Sequence, residues 1–497
     1  MMQHLPILQV LLPLLAAPFA ALLRGRELAW GLTFLTTGAA FLISIALFLE
    51  QRALGTTLVY ELGNWAAPIG IVYVIDAASA LVLPVISGIG FIATLAARQL
   101  VAAEIDRRDH GLFYAAWLLT IAGMLGQVTT GDAFNIFVFL EISSLSAYAL
   151  VAMGSGRDRR ALPAAFNYLI LGTVGATFYV IGIGLLYMLT GTLNLADLAE
   201  RLPQVEETRA AFTAMAFIAL GLFLKMALFP LHFWLVPAYA HAPSAVTALM
   251  ASTATKVSVY VLIRLIFGVF GIEFPGLVDG VGLLVLTLGI AGAFVGTLAA
   301  IVETDLKKLF AQSSIAQLGY MAIGIGAMSA TGLAAAFLHL FNHALMKGAL
   351  FLAIGMIAAQ AGRATMGTLQ GAGKQIPITM TAILFGGLAL IGVPLTAGFI
   401  SKVYLIRALL EQDFWLLAGL TFVSSALALA YVWKIIEAAW LRPRPEGAPE
   451  LSETPSQYMP AWIMVIATLG FGIYATPLVD AAFAAAHVFI PATVGAP

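Results

Sequence analysis

Apolar runs of about twenty residues recur along the whole chain, separated by short polar stretches, and each is long enough to cross the hydrocarbon core of a bilayer. Their approximate limits are 5–23, 29–49, 72–97, 112–129, 132–153, 161–189 and 210–230, followed by 243–270, 278–302, 309–328, 331–360, 376–411, 413–438 and 458–490. The pattern predicts about fourteen transmembrane helices, an all-α polytopic fold forming a single integral membrane domain over 1–497. The runs 331–360 and 376–411 are long enough to be bent or interrupted. The main polar stretches, 50–71, 190–209 and 439–457, read as loops, and the Pro- and Glu-rich segment 442–460 as a mobile cytoplasmic connection. The first run has no basic flank and no small-residue cleavage site, so it reads as a retained span.

The basic residues orient these spans. With the N-terminus outside, fifteen Lys and Arg, Arg24 among them, fall at inner loops and segment ends, and five, including Arg264, at outer ones. That asymmetry places both termini outside the cytoplasm, in a multi-pass protein of the cell's cytoplasmic (inner) membrane.

Composition narrows the function further. Of the 497 residues, 61% are hydrophobic and 10% charged, against about 25% charged in soluble domains. With no cysteine there is no thiolate metal site and no cysteine nucleophile. A net charge of −1 argues against a nucleic-acid partner. No phosphate-binding loop occurs, so the expectation is a secondary transporter without cofactor or metal, driven by an ion gradient or by a partner, and not an enzyme.

Four lysines then stand out inside the predicted spans, Lys225, Lys256, Lys347 and Lys402, with one acid, Glu141. A charge at bilayer depth costs at least about 2.5–3.5 kcal/mol, so such residues usually face a polar interior and carry ions.

The sharpest motif is Leu224-Lys225-Met226-Ala227-Leu228-Phe229-Pro230-Leu231-His232-Phe233-Trp234, continuing through His241-Ala242-Pro243-Ser244. Pro230 lacks an amide hydrogen and clashes with the carbonyl of residue 226, so the seventh span should break beside Lys225. The alternative is a kinked structural helix whose lysine snorkels to the interface. A comparable device in the twelfth span, Gly392-Val393-Pro394, precedes Lys402. Two interrupted helices, each with a charge, suggest inverted repeats. Spans 4–8 (112–270) and 9–13 (278–438) are the expected five-helix repeats, preceded by spans 1–3 (1–111) and followed by the last span (458–490).

Glu141, in Phe139-Leu140-Glu141-Ile142-Ser143-Ser144, needs a partner from another helix or a proton of its own, and Lys225 is the candidate partner. Ser143, Ser144 and Ser146 fit helix packing as well as a water path. His339, His343 and Lys347 are spaced by four and share one face of the eleventh span. They form a credible proton relay between the regions of Lys256 and Lys402, since histidine titrates near neutral pH. A His-x3-His metal site lacks a third ligand nearby.

On these residues the chain resembles the antiporter-like subunits shared by respiratory complex I and Mrp-type multisubunit cation/proton antiporters. The Lys225–Val246 stretch, Asp305-Leu306-Lys307-Lys308-Leu309, Ser313–Gly319 and the His339–Lys347 ladder carry the family-wide likeness. Tyr60–Ile71 tilts it toward the Mrp D type. The resemblance implies a fourteen-helix subunit with a buried hydrophilic axis, Glu141 and Lys225 as a charge pair, Lys256 as connecting lysine and Lys402 as terminal proton site. It also implies a lipid-embedded complex with other membrane subunits, exchanging protons for Na+ or K+. The length does not leave room for the extra C-terminal helices of A-type or L-type members. Two further readings stay open: a proton-pumping subunit of complex I or a membrane hydrogenase, and a gradient-coupled subunit of a non-redox machine such as inorganic-carbon uptake.

Overall fold

A computed structural model describes residues 2–23 and 25–491; Arg24 lies outside the described residues. Among those residues, twelve helices are long and apolar enough to cross a membrane. Two further spans escape that criterion. Leu306–Gly326 carries Lys307, Lys308, Gln312, Ser313, Ser314 and Gln317, and the twelfth span is split into Pro377–Ile391 and Ala397–Leu410. The fold is an all-α membrane bundle of fourteen spans.

The first repeat runs His110–Thr129, Ala133–Ala152, Ala161–Thr190, Thr208–Met226 with Leu235–His241, and Ser244–Leu265. The second runs Leu283–Val302, Leu306–Gly326, Ala330–Ala361, the split twelfth span, and Trp415–Ile436. The same corner is built in each. Asp132 caps its helix through the Asn135 amide at 2.7 Å, and Asp305 does so through the Lys308 amide at 3.2 Å. In the first repeat Ala133 N donates to Leu193 O (2.8 Å) and Leu195 N to Gly131 O (2.9 Å). In the second, Leu306 N donates to Ala364 O and Met366 N to Thr304 O, both at 2.9 Å. The charge-derived topology puts the first corner at the outer face and the second at the inner face, as inverted repeats require.

The breaks follow from the residues that cause them. Without an amide hydrogen on Pro230, the seventh span stops at Met226 and Ala227 turns left-handed (φ 58°), with Leu228 N bonded to Phe223 O. The twelfth span stops the same way: Gly392 takes φ 87° and Val393 N bonds Leu388 O just before Pro394. A third interruption, at Thr253 in the eighth span, involves neither Gly nor Pro.

Four expectations are corrected. The eleventh span is one continuous helix, Ala330–Ala361. The last span is two helices, Pro455–Ile473 and Thr476–His487, because Pro477 restarts the chain at the first turn of the second. The loop 50–71 contributes a β-hairpin, Leu58–Glu61 paired antiparallel with the β-branched-rich Val72–Ile75. Segment 442–454 is a pinned strap rather than a mobile connection. Arg444 donates to the carbonyls of Thr368 (2.8 Å) and Gln370 (3.0 Å), Leu451 is buried, and Glu453 accepts from Ile378 N, Thr379 N and Thr379 Oγ1 at 2.8–3.0 Å. These partners lie more than seventy residues away in sequence, out of reach of a compositional reading.

Candidate functional site

The four lysines are buried, and each is held chiefly by neutral oxygens. Lys225 Nζ lies 3.4 Å from Glu141 Oε1, 2.9 Å from Ser144 Oγ and 3.4 Å from Tyr148 Oη. Its walls are aromatic: Tyr148 meets Tyr168 edge-on, and Tyr168 stacks on Trp234 at 4.2 Å. Trp234 in turn donates its indole N–H to the Leu224 carbonyl (2.8 Å), next to Lys225 and just before the break. The break and the lysine's pocket are thus one construction. Lys225 does not snorkel: its side chain is 6% exposed, whereas that of Glu141 is 22% exposed.

A cavity of about 30 Å³ lies between Lys225 and the eighth span, lined by Gln127, Ser143, Ser144, Lys225 and Ser258 among others. That volume accommodates a water molecule, which needs roughly 10–15 Å³. Ser143 itself is bonded to Gln127 Nε2 at 3.0 Å, so the serine pair divides: Ser144 serves the lysine and Ser143 the helix contact.

Lys256 sits directly after the Thr253 interruption and donates to the carbonyl of Ala251 and to Thr255 Oγ1. Lys347 donates to Phe310 O (2.7 Å) and to Ser313 Oγ, flanked by the rings of Phe310 and Phe351. Lys402 reaches back across the twelfth-span break to Leu390 O (2.6 Å) and Ile391 O (3.0 Å), and to Ser425 Oγ (2.7 Å), with Tyr320 beneath it. Interrupted helices expose carbonyls at membrane depth, where only a protein interior or a water-filled cavity can satisfy them. Here lysine ammonium groups do so at two of the three interruptions.

His339 joins Ser401 Oγ (2.9 Å) to Gln317 Oε1 (3.0 Å), and Ser401 precedes Lys402 in the chain. A hydroxyl and an amide can each donate or accept, so this ring is satisfied in either charge state. His343 stacks nearly parallel to His339 at 6.1 Å, and both its ring nitrogens are buried without a partner among the described residues. Ser401 thus brings the His339 ring to the helix that carries Lys402.

Pro230 and Pro394 stand within their breaks as expected, but the lysines are not at matching positions. Lys225 ends the first half of its span, whereas Lys402 belongs to the second half and folds back. The counterpart of Glu141, nine residues after the capping aspartate, is Ser314 in the second repeat. At the inner face, His241 meets Asp158 at 3.0 Å, and the Arg160 guanidinium holds that carboxyl below the usual carboxylate range.

The family model described as NADH:quinone oxidoreductase/Mrp antiporter, TM, matches residues 130–428. The chain belongs to this family. It is 39% identical to the N-type subunit of the NADH-quinone oxidoreductase of Desulforudis audaxviator, over 95% of each chain. It is 29% identical to the D-type subunit of the Na(+)/H(+) antiporter of Alkalihalophilus pseudofirmus, over 99% of this chain and 98% of that one. A chain in the structure of the Mrp complex from Dietzia sp. DQ12-45-1b superposes with a TM-score of 0.90 at 26% identity, covering 99% and 98%.

Sequence reasoning missed several side chains that the structure gathers around these lysines in this member of the NADH:quinone oxidoreductase/Mrp antiporter family. Tyr148, Tyr320, Ser401 and Ser425 carry no local signal, since each is an ordinary residue until a lysine or, for Ser401, His339 arrives from another helix. A second acid is buried at a span end: Asp76, at the start of the third span, is 5% exposed and paired with Arg264, a residue that the charge distribution alone places at an outer segment end. The spacing of Arg264, eight residues after Lys256 and so on the same helix face, is the signal that could have revealed it.

Proposed function

We propose that this chain is the proton-conducting subunit of a multisubunit monovalent cation/proton antiporter, moving protons through Glu141, Lys225, Lys256, His339, His343, Lys347 and Lys402. The observation that carries the reading is the Glu141–Lys225 pair at a broken helix, 3.4 Å apart and followed by buried amines held by neutral oxygens. A lysine in such surroundings can lose and regain its proton, and moving a single carboxylate changes its electrostatic energy strongly in a low-dielectric interior. In this mechanism a proton enters beside Lys225, passes to Lys256 and the His343–His339 ladder, and leaves from Lys402. Pro230 and Pro394 provide the breaks that deliver carbonyls and flexibility.

The partial exposure of Glu141, 22% of its side chain within a membrane-spanning helix, supports neighbouring subunits as partners, because a carboxylate there calls for cover. The end-to-end match to a D-type subunit of a Na(+)/H(+) antiporter favours exchange of Na+ or K+. A second reading has its own support: the 39% identity to a quinone oxidoreductase subunit fits a proton-pumping role in a redox complex. The deciding experiment is purification of the native complex followed by proton flux in vesicles. Cation-driven flux with small hydrophobic copurifying subunits fits the antiporter. Redox-driven flux with iron–sulfur subunits overturns it in favour of the second reading.

A further inference from the structure

One more buried cation lies on the face that carries Lys256. Lys256, Tyr260 and Arg264 are spaced by four along the eighth span and stack toward its outer end. Arg264 Nη1 and Nη2 donate to the two oxygens of Asp76 at 2.5 and 2.9 Å, a bidentate fork. Nε and Nη2 also reach Tyr260 Oη at 3.1 and 2.5 Å, and Tyr260 donates its hydroxyl to the Val128 carbonyl at 3.1 Å. Asp76 is fixed in turn, since Oδ1 accepts from the amides of Ala78 and Ser79 at the start of the third span. Beyond the guanidinium opens an outer-face cavity of about 380 Å³, lined by Arg264, Thr130, Gly131, Asn194 and the β-hairpin.

The internal symmetry of the chain sets this end apart. The carbonyl matching Val128 in the second repeat is Ile301, which accepts from Lys434 at 2.5 Å at the inner face. The outer end is instead closed by an acid from the third span, which belongs to neither repeat.

We propose that the Asp76–Arg264–Tyr260 cluster is an outer lock, which keeps a proton on Lys256 from escaping sideways into the 380 Å³ cavity and so directs it on toward Lys402. This rests on Lys256 being a proton carrier. The chemistry of the lock lies in its saturation. Arginine does not deprotonate, so it cannot pass a proton on. The Tyr260 proton is committed to a backbone carbonyl, and both Asp76 oxygens are occupied by the guanidinium and helix amides. Within this cluster every side-chain oxygen already takes at least one hydrogen bond, Asp76 Oδ2 from the guanidinium itself. Removing the guanidinium would free the Asp76 carboxylate beside the cavity and turn a plug into a stepping stone.

The test uses the intact complex in vesicles, with a pH step imposed in the absence of Na+ and K+ gradients and passive proton leak read by an entrapped dye. Arg264→Gln is expected to raise the leak several-fold. Adding Lys256→Ala, or Asp76→Asn, to that variant should return the leak to the unmodified level. Arg264→Lys, which keeps the charge pair but leaves one Asp76 oxygen free, should leak less than Arg264→Gln but measurably, and it decides the matter if Arg264→Gln does not assemble. Tight vesicles with the assembled arginine variants overturn the lock, as does a leak that persists without Lys256. Coupled transport in the same vesicles reports separately on the proposed path: an active Lys225→Ala complex would refute that path whatever the leak does.

Discussion

Lys225 Nζ is closer to the Ser144 hydroxyl, at 2.9 Å, than to the Glu141 carboxylate, at 3.4 Å. The amine is therefore seated by a neutral group and only biased by the charged one. Such an arrangement lets the carboxylate move or take a proton without dislodging the lysine.

Lys225→Ala should abolish proton-coupled transport while the complex still assembles, since the site loses its carrier but its aromatic walls remain. Glu141→Gln should be nearly as severe, and Glu141→Asp should keep partial activity, because the charge survives one methylene further back. Proton flux in vesicles at matched protein levels checks all three, and full flux from Lys225→Ala would remove it from the path.

Ser144→Ala separates seating from biasing. The ion pair persists while a hydrogen bond to a charged group, usually worth about 1.5–3 kcal/mol, is lost. Transport should fall measurably but less than in Glu141→Gln. The reverse order of severity would make the hydroxyl, not the carboxylate, the controlling partner.

At the far end, Lys402 has three acceptors, two of them the carbonyls of Leu390 and Ile391. Carbonyls cannot donate to a carboxylate, so Lys402→Glu should lose nearly as much flux as Lys402→Ala. Ser425→Ala should be mild, since both carbonyls still hold the amine. Full flux from Lys402→Glu would show that any ionisable group suffices there.

Gly175 marks the close crossing of the sixth and seventh spans. A Cβ there would stand 2.9 Å from the Gly221 carbonyl and 3.6 Å from Lys225 Cγ. Gly175→Leu should force the two helices apart and lower transport with every charged residue in place. Undiminished flux in a normally expressed variant would mean that the contact yields without moving the lysine.

Glu453→Ala should destabilise the protein by roughly 1.5–3 kcal/mol, as charged hydrogen bonds to the N-terminus of the twelfth span are lost. A lower unfolding temperature in detergent, without a change of cation preference, is the expected result. An unchanged melting curve would show that the strap does not brace that helix.

Much of this fold is legible in the chain. Apolar runs locate fourteen spans because the bilayer demands them, and Pro230 and Pro394 announce two interruptions because proline cannot complete a helix. The interruption at Thr253 is not legible, because its residues are individually tolerable in a helix and only the arriving Lys256 ammonium compensates the freed Ala251 carbonyl. The Asp76–Arg264 pair is hidden for a related reason. Each member lies near a span end, where charge is ordinary, and only the packing of the third span on the eighth brings them together.

The two aspartate-capped corners have a consequence for how the chain enters its membrane. Asp132 and Asp305 close the same pair of amide–carbonyl contacts, one facing each side of the bilayer. A corner that works equally well in either leaflet holds no record of sidedness. The insertion machinery must take its bearings elsewhere, from the arginines and lysines that crowd the inner loops before the first corner and after the second.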